Sequence, residues 1–498
     1  MHESVRDKVA PDKDGDLNRA QRWANSLSAT GFFLLLVVLV ISVIPYGIVD
    51  AWWEAVFECI VFALTALWIL QALLRGEWQV KRLAILLPLL LITAYAFAQT
   101  IVWPLSAGFA YLSVQHTLTI DRYQTYLTAR KSLALTLFVG LLLLHTTTSR
   151  RLHWLVRVLL GLGLASAIFG ISRQFLQAPD SERGFVLPFL FAGVGYGQFL
   201  SPNVFAYLME MIFALFVGLL LGGGVRKDRI PIYLVGILIV WSALVLSNSR
   251  GAIFGFTAQS IFLLFVSLSW YSTRRQSRTG ESKPPWLTFL ETSVLVRIIV
   301  IIVMSTALAA GVFWMGGQEL VSKTNSPANS EERMDGLTRR EIWHSSWQLV
   351  KEHPLTGVGF GAYFLAIPKY QSGSGRIKLE EAHNDYLDLA ANGGLVAVGL
   401  AFWFIAIIVW RTRKSFKSAD PYRRAAALGA AAGILSVCLH SLVDFGLQVT
   451  GIGVVFAALV VVAVADDRLV ASPERRNVDR LHRRRRRKLP GDSTGVEL

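Results

Sequence analysis

The chain has 498 residues, 53% of them hydrophobic and only 17% charged, with a formal net charge of +15. Apolar runs near the length of a bilayer crossing recur along it, which excludes a soluble multidomain protein and indicates an all-α polytopic membrane protein. The basic excess clusters at alternate ends of these runs, without aromatic interleaving or a binding motif, so no nucleic-acid partner is expected.

In chain order, a cytoplasmic N-terminal tail is expected over about residues 1–26 and transmembrane helices 1–9 within about 27–315. A large periplasmic loop follows over about 316–385, then helices 10–12 within about 386–465 and a basic cytoplasmic tail over about 466–498. The individual spans read as about 27–49, 53–74, 83–103, 131–148, 152–172, 200–222, 230–247, 252–270, 294–315, 386–410, 424–443 and 449–465, about twelve helices in all. The first run follows a polar segment and lacks a small-residue cleavage site, so no cleavable signal peptide is expected. Cys59 and Cys438 lie in apolar runs and read as small hydrophobes.

Basic side chains orient the array. With the N-terminus in the cytoplasm, the inner loops hold Arg75, Lys81 and Arg82, then Arg150 and Arg151, then Arg226, Lys227 and Arg229, and later Arg411, Arg413 and Lys414. The short loops on the other face, near Asp50, Ser249 and Phe445, carry almost no basic charge, as the positive-inside rule requires. The tail run Arg483 to Lys488 suits anionic lipid headgroups beside a last membrane helix. Longer outer segments fall at about 104–130, 173–199 and 316–385.

The largest outer segment carries the densest chemistry. Its first part, Lys323 to Ser330, reads as a loop. Arg339 to His353 reads as an amphipathic helix with Ile342, Trp343, Trp347 and Leu349 apolar, ended by Pro354. Gly357, Gly359 and Gly361 then read as a turn rather than a phosphate loop. Arg339 and Arg340 open the helix, and either could supply a cation over the membrane mouth; Arg340, before Ile342 and Trp343, can point either way. The segment closes on Glu381-Ala382-His383-Asn384-Asp385-Tyr386. There Asn384 or Asp385 can cap the tenth helix, and His383 can accept a proton near neutral pH. Glu380, Glu381 and Asp385 stand near enough to orient His383 or to compete with it.

Ser247-Asn248-Ser249-Arg250-Gly251 starts the eighth helix on the same face. A helix N-terminus with Arg250 and Ser249 makes an anion site at headgroup depth, against the plainer reading of an arginine that only anchors in the interface. His440 and Asp444, four apart, share a helix face and read as a pair bracing the outer mouth. Arg173 is a further candidate cation. No P-loop, metal-ligand spacing or Gly-x-Ser-x-Gly nucleophile is present, so no cofactor and no metal are expected.

Several of these motifs, with Ser201-Pro202-Asn203-Val204-Phe205-Ala206, His353-Pro354-Leu355-Thr356-Gly357-Val358-Gly359 and Gly393-Gly394-Leu395, together resemble the O-antigen ligase and polymerase superfamily. The resemblance covers about residues 190–410 by motif and the whole chain by topology. It implies a metal-independent inverting glycosyltransferase of the bacterial inner membrane with a periplasmic active site. The donor would be an undecaprenyl-diphosphate-linked glycan and the acceptor a lipid A–core or a growing polysaccharide. Arg250 and Arg340 would bind the diphosphate and His383 would assist the acceptor; the reading of the residues adds Ser249 to the donor-binding set and Asn203, Asn384, His440, Asp444 and Arg173 as supporting candidates. The rival class is a transporter or flippase of lipid-linked saccharides. Such a protein should carry midplane charges and inverted repeats, whereas the polar residues here gather at the outer face.

Overall fold

Prolines, glycines and polar caps set the helix ends. The computed structural model describes residues 13–76, 78, 80–102, 117–178, 184–186, 190–193, 195–276, 333–334, 337–371 and 379–465. The predicted span at 294–315, the loop at 323–330 and the basic tail from 466 onward lie outside the described residues.

The helices are α1 (Lys13–Ile41), α2 (Ala51–Arg75), α3 (Leu87–Gln99), α4 (Arg122–His145), α5 (Ser149–Leu176), α6 (Pro202–Leu221), α7 (Ile230–Leu246) and α8 (Arg250–Gln276). After a two-residue antiparallel pairing of β1 (Arg333–Met334) with β2 (Leu337–Thr338) come α9 (Arg339–Glu352), the short α10 (Tyr363–Ala366), α11 (Asp385–Ser415), α12 (Pro421–His440) and α13 (Thr450–Val464). Among the described residues, seven helical stretches are long and apolar enough to cross a membrane. These are Arg22–Ile41, Ala51–Arg75, Arg122–His145, Ser149–Leu176, Pro202–Leu221, Lys227–Leu246 and Asp385–Ser415. Leu83–Gln99, Arg250–Val266 and Thr450–Val464 are apolar but shorter.

Local chemistry explains where the ends differ from the hydropathy reading. The first helix stops at Ile41, ahead of Pro45 and a left-handed Gly47. The run expected from about 131 starts instead at Arg122, because the Asp121 carboxylate accepts from the amides of Tyr123 and Gln124, each at 3.0 Å. Hydropathy is blind to those first polar turns.

Of the helices long enough to cross a membrane, α6 is the most buried, and it packs against α5, α7, α8, α12 and α13. Its contact with α12 is backbone to backbone: a Cβ on Gly218 would overlap Gly429. Small residues allow that approach, as they do between membrane helices generally. A second, smaller core joins Ile342, Leu349 and Val350 of α9 to Val358, Tyr363, Ile367, Leu379, Ala382 and Ala391. Each buried isoleucine, leucine or valine there contributes about 1.5–3 kcal/mol by leaving water. This buried face runs through Ile342, Ser345, Ser346 and Leu349, so Trp347, expected on the apolar side, is exposed.

α11 is two helices in one. Gly394 has φ 63° and ψ −167°, which breaks the ladder there. The loop after α9 fills the break: Leu395 N donates to Pro354 O at 2.8 Å, Val358 N to Ala391 O at 2.9 Å and Gly359 N to Asn392 O at 2.9 Å. A Cβ at Gly394 would overlap the Leu355 carbonyl. The adjacent glycine turn has the same logic. Gly357, Gly359 and Gly361 all have positive φ, and a Cβ at Gly359 would overlap Thr119. The amides of Gly357, Val358 and Gly359 are spent on backbone carbonyls and that of Phe360 on Gln99. The turn is therefore a docking element and not a phosphate cradle.

Candidate functional site

Asp444, just beyond α12, is the point where the motifs meet. Its carboxylate accepts from Asn203 Nδ2 and from Phe445 N, and Arg339 Nη2 lies 3.8 Å from it. Asn203 is placed by Pro202 in the first turn of α6, and its own Oδ1 accepts from Ser249 Oγ at 2.8 Å. Ser249 immediately precedes α8, and its Oγ accepts from Ala252 N at 3.4 Å. One polar chain thus joins the starts of α6, α8 and α9 to the end of α12. Arg250, the first residue of α8, is exposed at that end.

His383 is held against the same cluster. Asn384 caps α11, its Oδ1 accepting from Tyr386 N and Leu387 N at 3.0 Å, while its Nδ2 donates to Leu442 O at 2.8 Å. Asp385 N donates to Ser441 O at 3.0 Å and Asp444 O at 3.2 Å. These bonds clamp the start of α11 onto the turn after α12 and leave His383 with φ 50°, a conformation a non-glycine residue keeps only when its surroundings impose it. The ring is 5% exposed and meets Phe445 edge-on at 4.7 Å. Trp343 Nε1 donates to His383 O at 3.3 Å, tying α9 across it. Among the described residues, His383 Nδ1 is buried with no hydrogen-bond partner.

Burial holds the His383 pKa below its ordinary value; the Asp444 carboxylate opposes that shift and the Arg339 cation adds to it. The imidazole is therefore neutral at neutral pH and able to take a proton. Glu381 is pushed up to about 7, first by burial and then by the negative charges of Asp388, Glu380 and Asp444, against the pull of Lys131. Lys131 itself donates to Glu54 Oε1 at 2.6 Å and Gln448 O at 3.0 Å, and Thr450 Oγ donates to Glu54 Oε1 at 2.9 Å. These contacts fasten α2, α4 and α13 at the same end of the bundle.

The structure rearranges several sequence-level assignments. Arg339, not Arg340, reaches the cluster; Arg340 is exposed, since adjacent helical residues point about 100° apart. Trp343 follows Arg339 by four residues and shares its face, which is the phase signal that selects the first arginine. His440 and Asp444 do not pair, because α12 ends at His440 and the turn carries Asp444 away. His440 Nδ1 is instead 3.1 Å from Glu210 Oε1, a partner the sequence reading missed. Arg173 is buried and donates to Gln177 Oε1, Gly197 O and Phe191 O, so it secures the backbone at Phe191 and Gly197. Asp385 accepts from Leu447 N at 3.4 Å and so serves the turn.

Chemically, the cluster offers arginines at one mouth beside a neutral imidazole and a helix N-terminus, an arrangement suited to a polyanionic leaving group and a hydroxyl nucleophile. No curated protein matches the chain. Residues 235–404, from within α7 to within α11, match the family model described as O-antigen ligase, and this match supports the chain's placement in the O-antigen ligase and polymerase superfamily.

Proposed function

We propose that this multi-pass membrane protein transfers a glycan from an undecaprenyl-diphosphate carrier to an acceptor hydroxyl, at the periplasmic face of a bacterial inner membrane. The family match supports an O-antigen ligase or polymerase type of function. The observation that carries the detailed reading is the convergence of Arg339 and Asn203, itself held by Ser249, on Asp444 beside His383.

In this reading the donor diphosphate lies between Arg339 and the Arg250 end of α8. The acceptor oxygen attacks the anomeric carbon as the carbon–oxygen bond to phosphate breaks, inverting the configuration. His383 takes the hydroxyl proton, and the electron pair leaves with undecaprenyl diphosphate. The arginines stabilise the charge that grows there, so no metal is required. About twelve helices, with both termini cytoplasmic, complete the topology. A lipid A–core acceptor makes the protein a ligase, and the end of another lipid-linked glycan makes it a polymerase.

The test is transfer by the protein in nanodiscs, with lipid-linked saccharide and each acceptor supplied separately. His383→Ala should insert normally and lose about 10²- to 10⁴-fold in transfer. Undiminished transfer would refute the assignment. Glycans of a strain lacking the gene separate the outcomes: retained long lipid-linked chains mean ligase, and accumulated single repeat units mean polymerase.

A further inference from the structure

Within α6 the polar side chains Asn203, Tyr207 and Glu210 follow one another at four and three residues, so they form one stripe along an otherwise apolar helix. Asn203 serves the cluster around Asp444. The other two serve a deeper buried group. Glu210 and His440 both have side chains with 0% exposure, and Glu210 Oε1 lies 3.1 Å from His440 Nδ1. Ser436 Oγ donates to Glu210 Oε2 at 2.8 Å. The His440 ring stacks on Tyr207 with centroids 4.0 Å apart and planes 11° from parallel. A carboxyl inside a membrane helix is costly and persists where it has a partner and a task.

The task is indicated by what rests on this group. Gly251 and Gly255 of α8 lie directly against it. A Cβ at Gly251 would overlap His440 Nε2, and one at Gly255 would sit 2.6 Å from Ser436 Oγ and 2.7 Å from Glu210 Oε2. Among the described residues, His440 Nε2 is buried with no hydrogen-bond partner, so the ring's polar anchor is on its Nδ1 side. Its place therefore depends on Glu210, and the first turn of α8 is seated on its edge. Arg250 is the residue before Gly251.

We propose that Glu210 is a positioning residue for the Arg250 end of α8, acting through His440 on Gly251. As a statement about donor binding, this rests on the reading that Arg250 engages the diphosphate. Without the Glu210 carboxyl the ring loses its Nδ1 partner, the seat beneath Gly251 shifts, and Arg250 moves with it. Glutamine keeps an acceptor oxygen for His440 and should keep the seat.

The experiment measures transfer kinetics with undecaprenyl-diphosphate-linked saccharide, together with the labelling rate of Arg250→Cys by a methanethiosulfonate reagent in an otherwise identical background. Glu210→Ala should raise the donor KM about tenfold or more while kcat changes less than about threefold. It should also change the labelling rate at position 250. Glu210→Gln should restore both. If Glu210→Ala fails to insert, Gly251→Ala attacks the same contact from α8. Its penalty on donor KM should be smaller in a His440→Ala background, where the ring no longer opposes the new methyl. Unchanged KM and labelling in Glu210→Ala, a glutamine variant as impaired as alanine, or additive Gly251 and His440 effects would each overturn the proposal. If labelling responds as expected but Arg250→Ala leaves donor KM unchanged, the positioning stands and the donor reading of Arg250 fails.

Discussion

Arg339 at the start of α9 stands 3.8 Å from the Asp444 carboxylate beyond the end of α12. This contact, made by side chains more than a hundred residues apart, acts with the Trp343–His383 bond and the apolar core under α9 to hold that helix across His383. Its functional weight is separable from that of the neighbouring arginine. Arg339→Ala is expected to lower transfer by about 100-fold or more, as loss of a donor aimed at developing charge does elsewhere. Arg340→Ala should stay within about threefold. A transfer assay on the pair of variants decides which arginine faces the donor.

Arg250→Lys keeps the charge at the mouth of α8 but loses the planar fork that pairs with phosphate oxygens. The variant is expected to bind donor at least about tenfold more weakly. Donor affinity measured in detergent by competition with inorganic pyrophosphate and with lipid-linked saccharide checks this. Parental affinity would reduce Arg250 to an interfacial anchor.

The acid limb of the pH–rate profile should report His383. The base works when neutral, so activity is lost as pH falls through the pKa of the group. Burial and the Arg339 cation hold that value below the ordinary 6.5. The midpoint is expected below about pH 6.5. Asp444→Asn removes the charge that opposes the shift, so the midpoint should move further into acid even where overall activity drops. A midpoint above 7 in the parent would contradict the electrostatics of the site.

Glu381 links pH to stability with the opposite sign from an ion-paired carboxylate. Its folded-state pKa, about 7, lies above the ordinary 4.5. Between those values the folded state holds more protons than the unfolded one, so stability falls as pH rises through this window. Glu381→Gln avoids that loss. It is expected to be more stable than the parent at pH 8 by up to about 3 kcal/mol, with the difference gone near pH 4. Thermal unfolding in detergent at the two pH values measures it.

Gly359→Ala tests the docking loop. The position has φ 108°, and a Cβ would overlap the Thr119 hydroxyl. Backbone strain and the clash together are expected to cost at least about 2 kcal/mol and to lower the melting temperature. The same substitution at Gly399, where a Cβ has open space, should be nearly neutral.

What the sequence made legible follows from how local the physics is. The apolar helices can be read from hydropathy because lipid leaves the backbone few alternatives. Asn384 reads as a cap because its partners, Tyr386 and Leu387, are its immediate neighbours. Arg339 is legible through Trp343, which shares its face at four residues' spacing, whereas the resemblance points to its neighbour Arg340. Glu210 was not legible in the same way. Its partners Ser436 and His440 lie 226 and 230 residues away, and only the packing of α6 on α12 brings them together. The pairing of His440 with Asp444 failed for the converse reason: four-residue spacing brings side chains together only while the helix lasts, and α12 stops at His440.

The break at Gly394 divides the tenth predicted membrane helix into two mechanical parts. The part carrying Asn384 to Gly393 is bonded to Ser441, Asp444 and the 354–359 loop, and the same loop also grips the apolar stem from Leu395 to Ser415 at Leu395 and Val396. A bilayer that is too thick or too thin changes the tilt of such a stem. With the ladder interrupted at Gly394, that tilt passes to the site through the loop bonds on either side of the break and not through a continuous helix. The site's geometry should therefore vary less with membrane thickness than an unbroken helix would make it vary.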